Sequence, residues 1–281
     1  MEIPINHGEE LSLEEIKETQ LDILSAVDEF CRVHNLRYSM GCGTMLGAVR
    51  HKGYIPWDDD IDIYMLRDDY DKLMELFPSV YKGQYCIKSL ERSKEWDFTI
   101  AKVYDNRTVA YEKSFYNEIY GVNIDIFPID DVPEDDQTWE LFNKERRKLQ
   151  YYSYMLKANV SFNLKPYKFF KWAYYTMRRV FYGEKTMKKK RRKTAERVDS
   201  FIKKWNGKGY SFVFESSQGF QQKNRFRKVI FNQLIDYPFE NRTFLGFADY
   251  DEYLRNGFGD YMTLPPVEKR VSHHSTKAFW K

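Results

Sequence analysis

The chain has 281 residues, 42% of them apolar and 31% charged, with a net charge of +3. This is enough apolar material for one large domain or two intimate ones, no stretch approaches the ~20 apolar residues that span a bilayer, and the amino terminus MEIPINHGEE lacks the basic and apolar regions of a signal peptide. Three cysteines (Cys31, Cys42, Cys86) without a CxxC pair exclude a disulfide framework and a cysteine-zinc site, so a cytoplasmic location is expected.

The first predicted element is a helix over 12–34. Ser12 and Glu15 form a capping box, and Leu13, Ile16, Leu21, Leu24, Val27 and Phe30 supply its apolar face. A short strand is expected at 36–41, then a tight turn at Gly41-Cys42-Gly43 and a short helix capped by Thr44. Pro56 keeps Ile55 extended. Residues 60–66 read as a strand and 68–77 as an amphipathic helix stopped by Pro78. Strands follow at 84–90, 97–104, 107–112 and 121–127, the last stopped by Pro128. A helix is expected over 135–157 with Asp135 as its cap, and Pro166 opens a long basic-aromatic helix broken near Gly183. Residues 206–220 read as loop or short strands. A hairpin about Glu240-Asn241-Arg242 and a short helix at 249–255 close the pattern. The fold class is α+β, a mixed sheet flanked by helices with a mainly helical C-terminal half. Three units are expected: 1–134, 135–224 and 225–281.

Charge is unevenly placed. Between Lys165 and Lys208 stand 16 Lys or Arg against three acids, so this segment carries +13 and the remainder −10.

The densest chemical signal is Ile55-Pro-Trp-Asp58-Asp59-Asp60-Ile61-Asp62-Ile63. On a strand Asp60 and Asp62 share one face, joined by Asp58 if the chain is already extended there. Adjacent carboxylates are costly unless neutralised, and hard oxygen ligands without His or Cys favour Mg²⁺ or Mn²⁺. A solvated acidic turn is the plain alternative, disfavoured by the alternating Ile residues. In a second strand, Asn123, Asp125 and Phe127 share a face, and Asp125 completes a triad if the two strands are neighbours. The glycine turn before the 44–50 helix can offer N–H groups to an anion, though its spacing is not that of a dinucleotide fingerprint. Together these features match a two-metal phosphoryl-transfer site.

Residues 43–63, GTMLGAVRHKGYIPWDDDIDI, resemble the signature of the LicD family within the polymerase-β-like nucleotidyltransferases. So do Arg67-Asp68-Asp69-Tyr70, Ala101-Lys102-Val103-Tyr104-Asp105, Asp125-Ile-Phe-Pro128-Ile-Asp130 and, more loosely, Phe258 to Arg270. The resemblance implies a nucleotidyltransferase-like core and transfer of a phosphorylated alcohol, such as phosphocholine, from a CDP-linked donor to a hydroxyl of a cell-surface glycan. It implies that Asp58, Asp60, Asp62 and Asp125 are catalytic, with Asp60, Asp62 and Asp125 as metal ligands. Gly43 and Thr44 are expected to present donors to a phosphate. Arg50 and Lys102 are expected counter-charges for the diphosphate, or ordinary ion pairs with the acids. Arg270 and His273 are expected to line the donor or acceptor pocket, or to form a polar tail. Trp57 reads either as a stacking surface or as a core residue. Cys42 is expected to be a small residue that fits its turn.

The basic-aromatic segment 165–205 admits a peripheral contact with the inner face of a membrane, a glycan groove or a nucleic-acid surface, the last disfavoured. It also admits aromatics packed inward with lysines solvated outside. The rival activity is a nucleotidyltransferase that moves a nucleoside monophosphate to an RNA end or a small molecule. A catalytically dead glycan-binding module is a further alternative.

Overall fold

The structure is a computed structural model and describes residues 7–111, 120–157, 166–215, 224–271 and 277–281. Helix α1 (Leu13–Val33) begins at the expected capping box. The Ser12 hydroxyl accepts the Glu15 N–H, and the Glu15 carboxylate accepts the Ser12 N–H. Strand β1 (Ser39–Met40) leads to α2 (Cys42–Arg50). Gly41, not Thr44, is the cap of α2. The Gly41 N–H donates to the Asp62 carbonyl at 2.9 Å, so the backbone stays extended up to residue 41 and coils directly after it.

Strand β2 (Asp62–Leu66) starts two residues later than expected, and its Ile63 pairs with Met40 of β1. Helix α3 (Arg67–Val80) runs past Phe77 and includes Pro78. The proline ring removes the helix bond to the Met74 carbonyl, and Arg92 donates to that carbonyl instead, at 3.0 Å. Strands β3 (Tyr85–Lys88), β4 (Ala101–Asp105) and β5 (Thr108–Tyr111) follow.

Strand β6 (Asn123–Val132) also continues through its proline. Asp125 donates its N–H toward β2, to the Ile61 carbonyl, so strand alternation turns the nitrogen of Pro128 to the other side. There β4 ends opposite Ile126 and β7 begins opposite Ile129. Pro128 therefore falls in the gap between two partners, where a missing donor costs little.

Helices α4 (Asp136–Lys157) and α5 (Pro166–Lys203) pack on each other. Asp135 caps α4 by accepting the Thr138 N–H at 2.8 Å. Within α5, Gly183 is non-helical (φ 67°, ψ 155°), the expected break. The remaining elements are β7 (Phe212–Glu215), β8 (Arg225–Arg227), the hairpin β9 (Leu234–Phe239) and β10 (Arg242–Phe247), α6 (Asp251–Phe258) and β11 (Lys277–Trp280). The hairpin turns at Glu240-Asn241, as expected.

The main sheet has the order β1-β2-β6-β4-β3, with β7 and then β8 joined to the later half of β6. β2 and β6 are parallel, and the other pairs are antiparallel. A second small sheet pairs β5 with β11. The fold is α+β with a mixed sheet. Ile61, Ile63, Met65, Ile124 and Ile126 are fully buried in the main core, and α1 and α3 pack on the central strands. A separate cluster joins α4 and α5 to the sheet through Trp139, Phe142, Val198, Ile202 and Phe214.

Buried charge ties the second half of α5 to the rest of the molecule. Arg67 at the start of α3 makes a bidentate pair with Asp130 of β6 (2.8 and 2.7 Å) and reaches Asp199 of α5 at 3.2 Å. Arg191 pairs with buried Asp97 at 2.6 Å, and Arg192 donates to the Leu90, Ser93 and Trp96 carbonyls. Of the reading with lysines solvated outside and aromatics packed inside, the lysine half holds at the exposed Lys185, Lys189 and Lys193, and the aromatic half does not hold at the exposed Phe170, Tyr174, Phe181 and Tyr182. Two arginines of the basic run point inward, while Phe170 and Phe181 stand exposed.

Candidate active site

The parallel pairing of β2 with β6 places Asp62 and Asp125 in register. Asp62 opens β2 and Asp125 is the third residue of β6, so the two carboxylates sit at the same end of the sheet's centre. Asp60 lies two residues upstream in the linking segment, and its charge acts on Asp62. Burial raises the Asp62 carboxyl well above the ordinary range, and the negative charges of Asp60 and Asp125 raise it further. Asp62 is 7% exposed, whereas Asp60 and Asp125 are half-buried.

Two features hold Asp62 in place. Its N–H donates to the buried Thr44 hydroxyl at 2.8 Å, and its carbonyl accepts from Gly41. Thr44 therefore faces the strand, and its hydroxyl hydrogen is not committed by this bond. Gly43 lies in the first turn of α2 against Asp58. A Cβ at that position would stand 2.6 Å from the Asp58 Oδ2 atom. The start of α2 is thus in contact with a carboxylate already.

Lys102 of β4 is the register partner of Asp125 on the other side of β6. Its ammonium donates to the Asp125 carboxylate and to Asn123 Oδ1, the latter at 3.0 Å. Of the two expected roles for Lys102, the ion pair with the acidic site is the one formed. A cavity of about 200 Å³ opens here, lined by Asp59, Asp60, Asp125, Lys102, Asn123 and Gln20 among others.

Gln20 was not anticipated. Its amide donates to the Asp59 carbonyl (3.0 Å) and the Asn123 carbonyl (3.3 Å), and its own oxygen accepts the Tyr54 hydroxyl at 2.9 Å. It braces the acidic segment against α1 and β6. The signal lay in its position: Ile16, Gln20 and Leu24 share one face of α1, so a polar residue stood in the apolar stripe.

The expected donor-side residues gather separately. Arg50 donates from Nε to His51 Nε2 at 2.9 Å and from Nη1 to the Tyr261 carbonyl at 2.6 Å. Burial lowers the Arg50 guanidinium's pKa, and the like charge of Arg270 lowers it further, which places the two arginines near each other. Arg270 donates to the Pro265 carbonyl at 2.8 Å and stacks over the half-buried Trp57 ring at 5.6 Å. Among the described residues no carboxylate pairs with Arg50 or Arg270. His273 lies outside the described residues. Cys42 sits with its thiol 3.1 Å from the Tyr64 hydroxyl, and burial pushes that thiol up, so it is no ready nucleophile.

Asp60, Asp62 and Asp125 offer hard carboxylate oxygen, with the Cys42 thiol beside Asp62, and the Asp62 carboxyl is raised first by burial and then by the two neighbouring charges. Carboxylate oxygen is the ligand type that suits a hard divalent cation. Among the described residues, however, no three His, Cys, Asp or Glu side chains stand close enough together to hold a metal ion.

Similarity to known proteins bears on the same residues. The family model described as "LicD/FKTN/FKRP, nucleotidyltransferase domain" matches residues 35–171, a span that contains β1 to β6 and Asp58, Asp59, Asp60, Asp62 and Asp125. The chain is 31% identical to a Haemophilus influenzae protein named lipopolysaccharide cholinephosphotransferase LicD, over 94% of this chain and 97% of that one. It is 27% identical to an uncharacterized protein of Rickettsia typhi over 43% of this chain and 46% of the relative. An uncharacterized protein of Rickettsia prowazekii is 28% identical over 52% of this chain and 45% of its own. With a match that runs nearly end to end, this chain belongs to the LicD family.

Proposed function

We propose that this chain transfers a phospho-alcohol headgroup, phosphocholine or a similar one, from a CDP-linked donor to a hydroxyl of a cell-surface glycan. One observation carries the reading: Asp62 and Asp125 stand in register with Asp60 close by. The H. influenzae relative, which is named for cholinephosphate transfer to lipopolysaccharide, supports it.

Asp60, Asp62 and Asp125 would hold Mg²⁺, or Mn²⁺ in its place. When bound, such an ion supplies charge neutralisation at the donor diphosphate. The remaining steps belong to the chain. Arg50 and Arg270, mutually repelling, take the diphosphate as their shared counter-charge. The Trp57 face beneath Arg270 gives the donor a flat surface. The N–H groups at Gly43 and the Thr44 hydroxyl hydrogen turn toward a phosphate oxygen, and Asp58 moves off the start of α2 to admit it. Asp125 takes the proton of the attacking glycan hydroxyl while Lys102 fixes the carboxylate's orientation. The hydroxyl oxygen forms its bond to the headgroup phosphorus, the bond to the cytidylate oxygen breaks, and CMP leaves with the electron pair. Asp62 stays with Thr44 throughout.

The test uses two donors, one labelled in the headgroup phosphate and one in the cytidine, with a glycan acceptor and Mg²⁺. Headgroup label on the acceptor is expected. Cytidine label there would favour nucleotidyl transfer instead, and neither label would reject both.

A further inference from the structure

We propose that the first half of α5, residues 166–182, docks on a bilayer surface that carries anionic headgroups. The inference does not depend on the reaction proposed above. Met177 is 69% exposed, Val180 80% and Phe181 88%. Phe170 and Tyr174 are exposed as well. Positions 170, 174, 177 and 181 follow the spacing of one helix face, so large apolar side chains form a stripe turned toward solvent.

The same stretch of sequence carries Lys168, Lys171, Arg178 and Arg179, and no acid stands between Lys165 and Gly183. A helical segment whose sequence combines an exposed apolar stripe with basic residues and no acid matches the composition that binds the interface of an anionic membrane, where aromatic and aliphatic groups enter the acyl boundary. A second copy of this chain is a poorer occupant, since two segments of the same strongly basic sequence would meet. Among the described residues no helix is long and apolar enough to cross a membrane.

Gly183 separates this half from the second, and the two halves use their basic residues differently. Beyond the break, Arg191 and Arg192 are spent on Asp97 and on backbone carbonyls of the 90–96 segment. The docking surface is therefore narrower than the whole basic segment 165–205. It ends at the break, which leaves the second half fixed to the sheet while the first half meets the lipid.

The experiment is co-sedimentation of the full chain with vesicles of phosphatidylcholine alone or mixed with phosphatidylglycerol, at low and high salt. Binding is expected to the mixed vesicles at low salt and to fall as salt rises. The double variant Met177→Asp/Phe181→Asp is expected to lose binding by about tenfold or more, with an unchanged circular dichroism spectrum because both positions are exposed. Lys171→Glu, which leaves the apolar stripe intact, is expected to weaken binding by about fivefold. Absence of wild-type binding to the mixed vesicles overturns the proposal. So does equal binding to both vesicle types, or wild-type self-association that the double variant abolishes.

Discussion

Asp62 and Asp125 are register partners on adjacent parallel strands, and the buried one of the two carries a strongly raised carboxyl pKa. The fold thus keeps an ionisable group where its charged form is least welcome. Burial dominates that cost and the neighbouring acids add to it. Replacement of Asp62 by Asn keeps the shape and removes the charge. Transfer is expected to fall by at least about 10²-fold. The metal-free protein is expected to melt about 2–4 °C higher, corresponding to ~1 kcal/mol. Calorimetry together with an activity assay checks both, and a variant that melts lower yet turns over normally would remove Asp62 from the site.

Lys102 competes for the same carboxylate that a cation would take. Its ammonium donates to Asp125 and Asn123. Lys102→Met keeps most of the stem and removes the charge. Mg²⁺ affinity is expected to rise by about tenfold, or ~1.4 kcal/mol, since an opposing positive charge a few ångströms away is gone. Transfer is expected to slow because Asp125 loses its fixed orientation. Titration calorimetry reads the first effect and turnover the second. Absence of heat from Mg²⁺ with both wild type and variant would refute the metal assignment.

Much of this site was legible in the sequence because strand alternation is a strong geometric rule. Asp125 alone among isoleucines could be read as facing a partner strand, and the parallel register supplies that partner. The capping box at Ser12, the break at Gly183 and the hairpin at Glu240 followed from local chemistry in the same way. What failed were inferences that needed the neighbours. Pro128 and Pro78 read as stops, yet one falls in a gap between two sheet partners and the other has its orphaned carbonyl satisfied by Arg92. Thr44 read as a cap, but Asp62, 18 residues on at the start of β2, claims its hydroxyl. The inward turn of Arg191 and Arg192 was equally hidden, because their acceptors lie about a hundred residues away in sequence.

Gly43 supplies a further prediction. An added methyl at this position would press on the Asp58 carboxylate at 2.6 Å, the far end of a movable side chain. Gly43 is helical, where Ala is favoured by about 1 kcal/mol. Gly43→Ala is therefore expected to keep or slightly raise the melting temperature. Donor affinity is expected to fall by about tenfold or more, since the methyl stands where a phosphate would approach the helix start. The KM for donor and a thermal melt check the two halves, and an unchanged KM would take the start of α2 out of the donor site.

His51 provides a pH test. It accepts from Arg50 Nε through Nε2, which only the neutral ring can do. Burial lowers its pKa from the ordinary 6.5, and the neighbouring Arg50 charge lowers it further. Because the folded value lies below the unfolded one, the contribution of neutral His51 is present above pH 6.5 and is lost as pH falls through the folded value. Protonation places a second cation against Arg50 and breaks their hydrogen bond, so donor binding through Arg50 is expected to change over that same acidic window. Replacement by Gln, which can accept from Arg50 without titrating, is expected to flatten this pH dependence. NMR titration of the imidazole is the direct measurement. A midpoint at or above 6.5 would contradict the Arg50–His51 geometry and remove the acidic-side dependence derived from it.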